Sequence, residues 1–460
     1  MWFNTALAMG AWISSAQADT THGAHQEHQR QYDATGVQPV QSTRSHQKVR
    51  STAAAKPSVT VYGYHPYWED DPTELDFSRL THLAIFDVGL EEDGSLSSTS
   101  RWTSTAPDVV PLAHAAGVKV HLCVTSFDDD VMAAVLPSPT LRAAAIDAMV
   151  TLVDDVGADG VNIDFEGMDS ALKDDLVTFI EELKLETDEV VLATPAIDWS
   201  GAYDYDRLAE ASDGLFIMGY GYYWSGGNPG PNAPLFAGDP WHSYSLEWSV
   251  NDYLTYDATR DKIILGLPLY GHEWPTESDD IPGTATGSAS AVSMSAAVSI
   301  GEDEGALWDE ASHTKYVLWS DAQLWYDDTE TLRPKIAWAV ENNLQGIGFW
   351  ALGYEGNDTN FWDMVTEETA FVSADTGAPS DDTGSESGDT DIPSDDSGTS
   401  DTSLETHAES FDDTDAKKGI KVVRKKIDPK LFQGDQALSQ GDYKKSAIIL
   451  GDFIEDKKQN

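Results

Sequence analysis

The chain has 460 residues, with 79 acidic and 28 basic side chains, and its formal net charge at pH 7 is -51. Such a surface repels nucleic-acid phosphates and anionic lipid headgroups, because its field is negative almost everywhere. We therefore expect no nucleic acid and no membrane among its partners. The length suits two or three average domains, or one α/β barrel with appended segments.

The sequence pattern of residues 1–18 predicts a secretory signal peptide. An apolar stretch at 6–13 precedes Ala16-Gln17-Ala18, an A-x-A pattern at which signal peptidase could cut. No Lys or Arg precedes this stretch, so a misassigned start is the alternative. We expect a secreted protein, extracellular or in the cell envelope, that is soluble once the signal is removed.

Residues 19–57 are rich in His, Gln, Ser and Thr, and this composition predicts a disordered leader. Its histidines His22, His25, His28 and His46 offer at most weak metal binding, because no other ligand cluster fixes a geometry. We therefore predict neither a metal site nor a cofactor.

Two further segments follow the apolar part of the chain. Residues 372–415 are acidic and of low complexity, and they predict a linker, because they cannot bury enough apolar surface to fold. Residues 416–460 have no assigned role. Either the natural chain continues beyond them or they form a small appended helix.

Short apolar runs, most of them followed by a segment of helical periodicity, recur through residues 58–371. Eight runs are strand candidates: 58–64, 81–88, 118–124, 160–166, 190–196, 214–220, 262–270 and 346–352. Helical patterns such as 138–157 and 170–186 lie between them. This alternation predicts an α/β fold, a closed parallel (β/α)₈ TIM barrel. A doubly wound open sheet is the alternative, but no G-x-G-x-x-G follows the first strand.

The interval at about 271–345 is too long for a simple crossover between the seventh and eighth strands, and it contains strand-like runs of its own. It predicts a small α+β insertion that walls one side of the barrel mouth.

The fourth predicted strand, within GADGVNIDFEGM at 157–168, carries three polar side chains on one face: Asn162, Asp164 and Glu166. The apolar residues between them can pack against the helices, so the polar face points into the barrel. Burying a carboxylate costs several kcal/mol unless it is paired or hydrogen-bonded. Since Glu166 stands last, at the end of the strand where barrels of this kind carry active sites, the pattern predicts a catalytic site.

Asp164 and Glu166 are two residues apart, about 6.6 Å at Cα, and project the same way. They are poorly placed to attack a glycosidic bond from opposite faces. A neighbouring carboxylate raises the pKa of Glu166, which suits a general acid. No Ser-His-Asp order, G-x-S-x-G elbow or H-E-x-x-H pattern supplies a nucleophile or a metal. The 2-acetamido group of a substrate is the economical candidate for the nucleophile.

The run D-G-V-N-I-D-F-E at 159–166 resembles the D-G-x-D-x-D-x-E signature of family 18 glycoside hydrolases, the chitinase family. It is most similar to the version found in the spore-cortex-lytic, peptidoglycan-active bacterial branch. Further motifs resemble those of the family and extend the likeness over 58–371: YGYHPYW, THLAIF, LFIMGY, ILGLPLYG and GIGFWALGYE.

The resemblance implies substrate-assisted retaining hydrolysis. By position, Glu166 would protonate the glycosidic oxygen and later activate water. Asp164 would orient the acetamido group and stabilise the positive charge, and Tyr220 would hydrogen-bond that group. Two departures stand out: Asn162 replaces the middle aspartate of the signature, and Gly221 stands where the family usually has aspartate. Asp198, after the fifth strand, is a candidate to compensate.

Aromatic faces stack on sugars, and aromatic residues lie at or beyond the predicted strand ends. The candidate substrate-binding residues are Tyr64, Phe86, Met218, Trp224, Tyr270 and Trp350. The resemblance implies that Trp350 is the floor under the cleaved sugar. His65, His272 and Trp274 are further candidates to line the groove.

The leading hypothesis is a secreted, monomeric glycosidase that cleaves β-1,4-linked N-acetylglucosamine polysaccharides. Chitin or chitooligosaccharides are favoured as substrates, since an acidic enzyme is repelled by the carboxylates of peptidoglycan. A peptidoglycan-cleaving N-acetylglucosaminidase is the alternative that the motif favours. A non-catalytic, chitinase-like sugar-binding lectin is the alternative from another class.

Overall fold

The computed structural model of the chain describes residues 23–35, 56–69, 71–356 and 358–370. The predicted signal peptide, linker and C-terminal segment lie outside these residues. The strands are β1 (Thr60–Pro66), β2 (His82–Leu90), β3 (Leu96–Ser97), β4 (Lys119–Ser126), β5 (Gly160–Phe165), β6 (Glu189–Pro195), β7 (Gly214–Met218), β8 (Ile263–Pro268), β9 (Tyr270–Pro275), β10 (Ser290–Ser293), β11 (Leu307–Asp309), β12 (Thr314–Leu318), β13 (Ala322–Tyr326) and β14 (Gly346–Trp350). The α-helices are α1 (Ala24–Thr35), α2 (Ser100–Ala116), α3 (Asp129–Val135), α4 (Pro139–Val156), α5 (Lys173–Lys184), α6 (Tyr205–Ala211), α7 (Leu246–Thr255), α8 (Met294–Glu304), α9 (Thr329–Glu341) and α10 (Thr359–Thr369).

Eight parallel strands form a closed barrel, in the spatial order β1, β2, β4, β5, β6, β7, β8 and β14. Closure is visible at β1, which pairs in parallel with both β2 and β14. The (β/α)₈ prediction is therefore confirmed, and the open doubly wound sheet is excluded. All eight predicted strands are present, with ends within two residues of the prediction.

The α+β insertion between the last two barrel strands is also confirmed. A five-stranded antiparallel sheet in the order β10-β9-β13-β12-β11 carries α8 and follows β8 directly. Because β9 starts at Tyr270 and belongs to this second sheet, the seventh barrel strand ends at Pro268 rather than at 270.

Local signals fix the start of the acidic strand. Gly157, with φ of +67°, ends α4 in the left-handed conformation that glycine adopts without strain. Two residues later the carboxylate of Asp159 accepts a hydrogen bond from the backbone N–H of Val120, 2.7 Å away on the neighbouring strand β4. The outward face of β5 packs as expected, since Phe165 stacks on Phe179 of α5 with ring centroids 5.8 Å apart.

The described part of the leader differs from the prediction. Residues 24–35 form the helix α1 instead of a disordered segment, and its His25 and His28 side chains are fully buried against the barrel. The other two leader histidines, His22 and His46, lie outside the described residues. No helix among the described residues combines the length and apolar character needed to span a bilayer.

Candidate active site

Asp164 and Glu166 lie side by side inside the mouth of the barrel. The backbone N–H of Glu166 donates to the carbonyl of Ser126 at 3.0 Å, so the β4–β5 pairing continues through the end of the strand and keeps both carboxylates on the inner face. Asp164 is fully buried and Glu166 is 4% exposed. The structure thus brings together the two acids that the sequence predicted as neighbours.

This environment favours the protonated acid. Burial, and after it the charge of Asp164, raises the pKa of Glu166 to about 8. Burial and the charge of Asp87 raise the pKa of Asp164 as well. Among the described residues, no side chain donates a hydrogen bond to Glu166, and Oδ1 of Asp164 has no partner. Glu166 therefore has the protonation state of a general acid near neutral pH.

Asp87 is a site residue that the sequence did not single out. It follows Phe86 in β2, is 2% exposed, and accepts hydrogen bonds from the hydroxyl of Thr125 at 2.6 Å and from Arg101 at 2.5 Å. One signal was present: an acid directly after the apolar run LAIF. Whether the side chain of Asp87 faces into the barrel or away from it depends on strand register, and that signal alone does not reveal the register.

Asn162 is tied into the barrel interior rather than into the acid pair. Its amide N–H group donates to the hydroxyl of Tyr64 at 2.9 Å, and its carbonyl oxygen accepts a hydrogen bond from Sγ of Cys123 at 3.2 Å. The uncharged amide at this position holds Tyr64 in place. The pKa of Asp164 is raised instead by burial and by the charge of Asp87.

Four of the six predicted sugar-binding residues, Tyr64, Phe86, Tyr270 and Trp350, lie around one aromatic chamber at the mouth of the barrel, together with Tyr220. Phe86 packs edge to face on Trp350 at 4.9 Å, Tyr64 lies 5.8 Å from the same ring, and Tyr270 lies 6.0 Å from Tyr220. Met218, at the end of β7, is 7% exposed.

Trp224 and Trp274 lie apart from this chamber. Trp224 is 43% exposed and makes no ring contact with the other five residues. Trp274 packs with Trp241 and Trp325 in a separate cluster of the insertion. His272 is buried next to Tyr270, with ring centroids 5.3 Å apart.

Asp198, the candidate to compensate for Gly221, binds the loop that follows it. Its carboxylate accepts hydrogen bonds from the backbone N–H groups of Gly201, Ala202 and Tyr203 at 2.8–3.1 Å, so it fixes its own loop. Gly221 has φ of +75°, a conformation that favours glycine over aspartate.

The helix α1 fills the chamber from outside. Nδ1 of His25 is 2.7 Å from Oδ2 of Asp164, and Nε2 of His25 is 2.6 Å from the hydroxyl of Tyr220. Its ring centroid is 3.9 Å from that of Trp350. Burial lowers the pKa of His25 to about 4, so the imidazole is neutral at pH 7. A neutral imidazole satisfies both contacts, since one ring nitrogen donates and the other accepts.

Two groups of side chains bring together atoms that could ligate a cation: His25 with Asp164 and Glu166, and His82 with His121 and Glu189. The second group lies at the opposite end of the barrel, where the ammonium of Lys119 already pairs with Glu189 at 2.7 Å.

Comparison with known proteins agrees with this geometry. The family model described as glycosyl hydrolases family 18 matches residues 60–355, well over half of the chain. The putative sporulation-specific glycosylase YdhD of Bacillus subtilis (strain 168) is 28% identical over 291 residues, which are 59% of this chain and 65% of that protein. The cortical fragment-lytic enzyme of the same organism is 24% identical and is also covered to 65%. The chain thus spans just under two thirds of the length of these two relatives.

Di-N-acetylchitobiase of Mus musculus is 24% identical over 58% of this chain and 80% of that protein. Among solved structures, a class V chitinase from Nicotiana tobaccum in complex with NAG4 superposes with a TM-score of 0.62 at 18% identity, over 68% of this chain and 99% of that one. The chitinase-like agglutinin from Robinia pseudoacacia gives 0.61 at 19% identity, over 67% and 99%. At these identities the two solved structures bear on the fold alone.

Proposed function

We propose that this chain, which belongs to family 18 of the glycosyl hydrolases and is a glycosidase, cleaves β-1,4-linked N-acetylglucosamine glycans with retention of configuration. The observation that carries the proposal is the placement of Asp164 and Glu166 side by side on the inner face at the end of β5, where the neighbouring carboxylate disfavours a second negative charge on Glu166. A protonated carboxyl at the end of β5 is the acid that departure of a sugar oxygen requires.

The first half of the reaction uses the nucleophile that the substrate carries. Glu166 gives its proton to the glycosidic oxygen as the bond from that oxygen to the anomeric carbon breaks. The carbonyl oxygen of the 2-acetamido group attacks the anomeric carbon and closes a five-membered oxazolinium ring. Asp164 accepts a hydrogen bond from the acetamido N–H and balances the positive charge, and Tyr220 donates to the acetamido oxygen and holds it in line.

In the second half, the carboxylate of Glu166 takes a proton from water, and the oxygen of that water attacks the anomeric carbon from the side that the leaving group vacated. The ring opens, the acetamido group is restored, and two displacements at one carbon give retention. Oδ1 of Asp164 has no partner among the described residues, so it can accept the hydrogen bond from the acetamido N–H once the site is open to substrate.

Two substrate classes carry the required acetamido group. The net charge of -51 favours a neutral polymer, and this supports chitin or chitooligosaccharides as the first choice. The relatives from Bacillus subtilis, named for sporulation and for cortical fragments, support peptidoglycan as the second. The predicted signal peptide supports export, which gives access to either polymer.

The test is cleavage of defined glycans by the full chain. Chitohexaose and purified peptidoglycan are incubated separately with the enzyme, and products are analysed by mass spectrometry. Proton NMR of the first-formed anomer reports on retention. Because α1 covers the acids, the assay includes an open variant, Gly23→Leu with His25→Ala, in which the helix loses its fit to the site. Binding of either glycan without cleavage by both forms would favour a lectin and contradict the proposal.

A further inference from the structure

The catalytic groups are closed off by the chain itself. Asp164, Glu166, Tyr220 and Trp350 are each at most 5% exposed, and the leader helix, α1 (Ala24–Thr35), lies over them. A polysaccharide can react only with groups that it can touch, so this arrangement excludes substrate.

His25 stands where the reacting sugar has to be. It contacts Asp164 and Tyr220, the two side chains that the proposed mechanism gives to the acetamido group. Its five-membered ring lies 3.9 Å from the ring of Trp350, the surface proposed as the floor under the sugar. The imidazole therefore takes up the same two polar contacts and the same stacking surface as the oxazolinium ring.

The backbone before the helix fits closely around the acid. A Cβ atom on Gly23 would fall 2.0 Å from Oε2 of Glu166, so any larger residue at this position would force the Glu166 carboxyl group or the helix to shift. The amino end of the 12-residue helix faces the two carboxylates, and its partial positive charge is favourable beside them.

Contacts continue along the helix, one turn after another. The indole N–H of Trp350 donates to His28 at 3.0 Å, and Gln29 donates to Asp87 at 2.9 Å. Tyr32 stacks on Trp68 at 5.6 Å. These contacts extend about two turns beyond His25 and hold the helix against β2, β14 and the turn after β1.

The pocket described beside the leader helix is too small for an oligosaccharide. A pocket of about 210 Å³ remains between Gln29, Asp33, Asp87 and Arg101, and none of the catalytic residues lines it. Sites for drug-sized ligands typically measure about 300–1,000 Å³.

We propose that residues 23–33 are an intramolecular inhibitor that binds the cleft in place of the glycan and has to leave before a glycan can bind. The inhibitory effect rests on the proposed function, whereas binding of the segment to the cleft does not. The cleft is accordingly also a peptide-binding site whose ligand is a histidine-bearing helix.

The first test compares three full-length chains. The open variant removes the fit at Glu166 and the imidazole at Asp164. The matched control, Arg30→Ala with Ala34→Leu, makes the same two kinds of change on exposed positions of the same helix. We expect kcat/KM on chitohexaose to rise at least about tenfold in the open variant and to stay unchanged in the control, because affinity scales with the fraction of molecules whose site is accessible. Equal activity of the native and open chains would overturn the inhibition.

The second test does not depend on hydrolysis. Hydrogen exchange followed by mass spectrometry should find the amides of residues 24–35 protected in the native and control chains and unprotected in the open variant. Unprotected amides in the native chain would refute the docked helix, whatever the enzyme does.

A synthetic peptide of residues 22–35 supplies the segment in trans. It should inhibit the open variant and quench or shift its tryptophan fluorescence, while a scrambled peptide should do neither. If no glycan is cleaved by any form but the peptide binds and the helix is protected, the proposed glycan reaction fails and the assignment of the cleft as a peptide-binding site stands. If glycans are cleaved but the peptide neither binds nor inhibits, the inhibitor fails and the hydrolase stands.

Discussion

Buried carboxylates lie at opposite ends of one barrel, a pair at the mouth and the single Glu189 at the base, and they differ in their partners. At the mouth, Asp164 and Glu166 face each other with no Lys or Arg beside them among the described residues, and the pKa of Glu166 rises to about 8. At the base, Glu189 opens β6 and is bonded to His82, His121 and Lys119 at 2.7–3.3 Å.

The pKa of Glu189 responds in the opposite direction. Burial alone would raise it, but the hydrogen bonds with His121 and His82 outweigh burial and hold the pKa well below its usual range. A buried carboxylate with hydrogen-bonding or positively charged partners stays ionised and stabilises the fold. A buried carboxylate without such partners retains a proton that it can transfer. The same residue type thus serves structure at one end of the barrel and, in the proposed reaction, chemistry at the other.

The largest expected effect is on catalysis at the mouth. Glu166→Gln, introduced into the open variant, should lower kcat by about 10²–10⁴-fold, because the amide has no acidic proton to give. Steady-state kinetics on chitohexaose measures this. Glu189→Gln in the same background is the control and should leave kcat unchanged. An equal loss of kcat in both variants would contradict the assignment of a catalytic role to Glu166 and a structural role to Glu189.

The second effect is on the pH dependence of stability in the full chain. The folded-state pKa of Glu166 is about 8 and its ordinary value is 4.5, so the folded protein holds a proton that the unfolded chain releases between these pH values. Stability therefore falls as pH rises through this window, with a limit of about 1.4 kcal/mol per pKa unit. Glu166→Gln should remove most of this dependence. The measurement is the difference between the urea-unfolding free energies of the two chains, followed across this pH range.

The third effect is on stability at the base of the barrel, and its pH dependence is opposite to that of Glu166. Glu189→Gln should reduce the unfolding free energy at pH 7 by about 1–3 kcal/mol, because His121 and Lys119 lose a charged hydrogen-bond acceptor. Since the folded pKa of Glu189 is lowered, its contribution is present above the unfolded pKa and is lost as pH falls through the folded one. The difference between native and variant should therefore shrink in acid. A difference in unfolding free energy that grows below pH 4 would contradict the lowered pKa of Glu189.

The smallest effect concerns Asp198, which follows β6 and whose carboxylate, like that of Glu189, is held by hydrogen bonds. Asp198→Ala should cost about 1 kcal/mol of stability through the lost backbone contacts of its loop, with kcat of the open variant unchanged. Asp198→Asn, which keeps one acceptor oxygen, should recover part of the loss. A fall in kcat with unchanged stability would mean that Asp198 does act on the substrate.

Much of the fold was predictable because its signals are local. The eight barrel strands are apolar runs of strand length, and the strict alternation in β5 determines that Asp164 and Glu166 share the inner face. Asp87 was missed because its strand is apolar on both faces and offers no alternation to read. Asp198 was judged by its position after a strand, but its role depends on the path of the loop that it binds.

The sequence alone determined the barrel, the insertion and the adjacent pair of acids, since periodicity and residue spacing act within a few residues of the chain. Only the tertiary structure decided what lies against those acids. The leader has the polar composition of a disordered segment, and its own residues offer no apolar stripe that would predict burial. Residues 24–35 of this leader nevertheless form a helix against the cleft, because the cleft is polar and aromatic and meets His25, His28 and Gln29 with matching donors, acceptors and rings, which are contributed by strands far away in sequence.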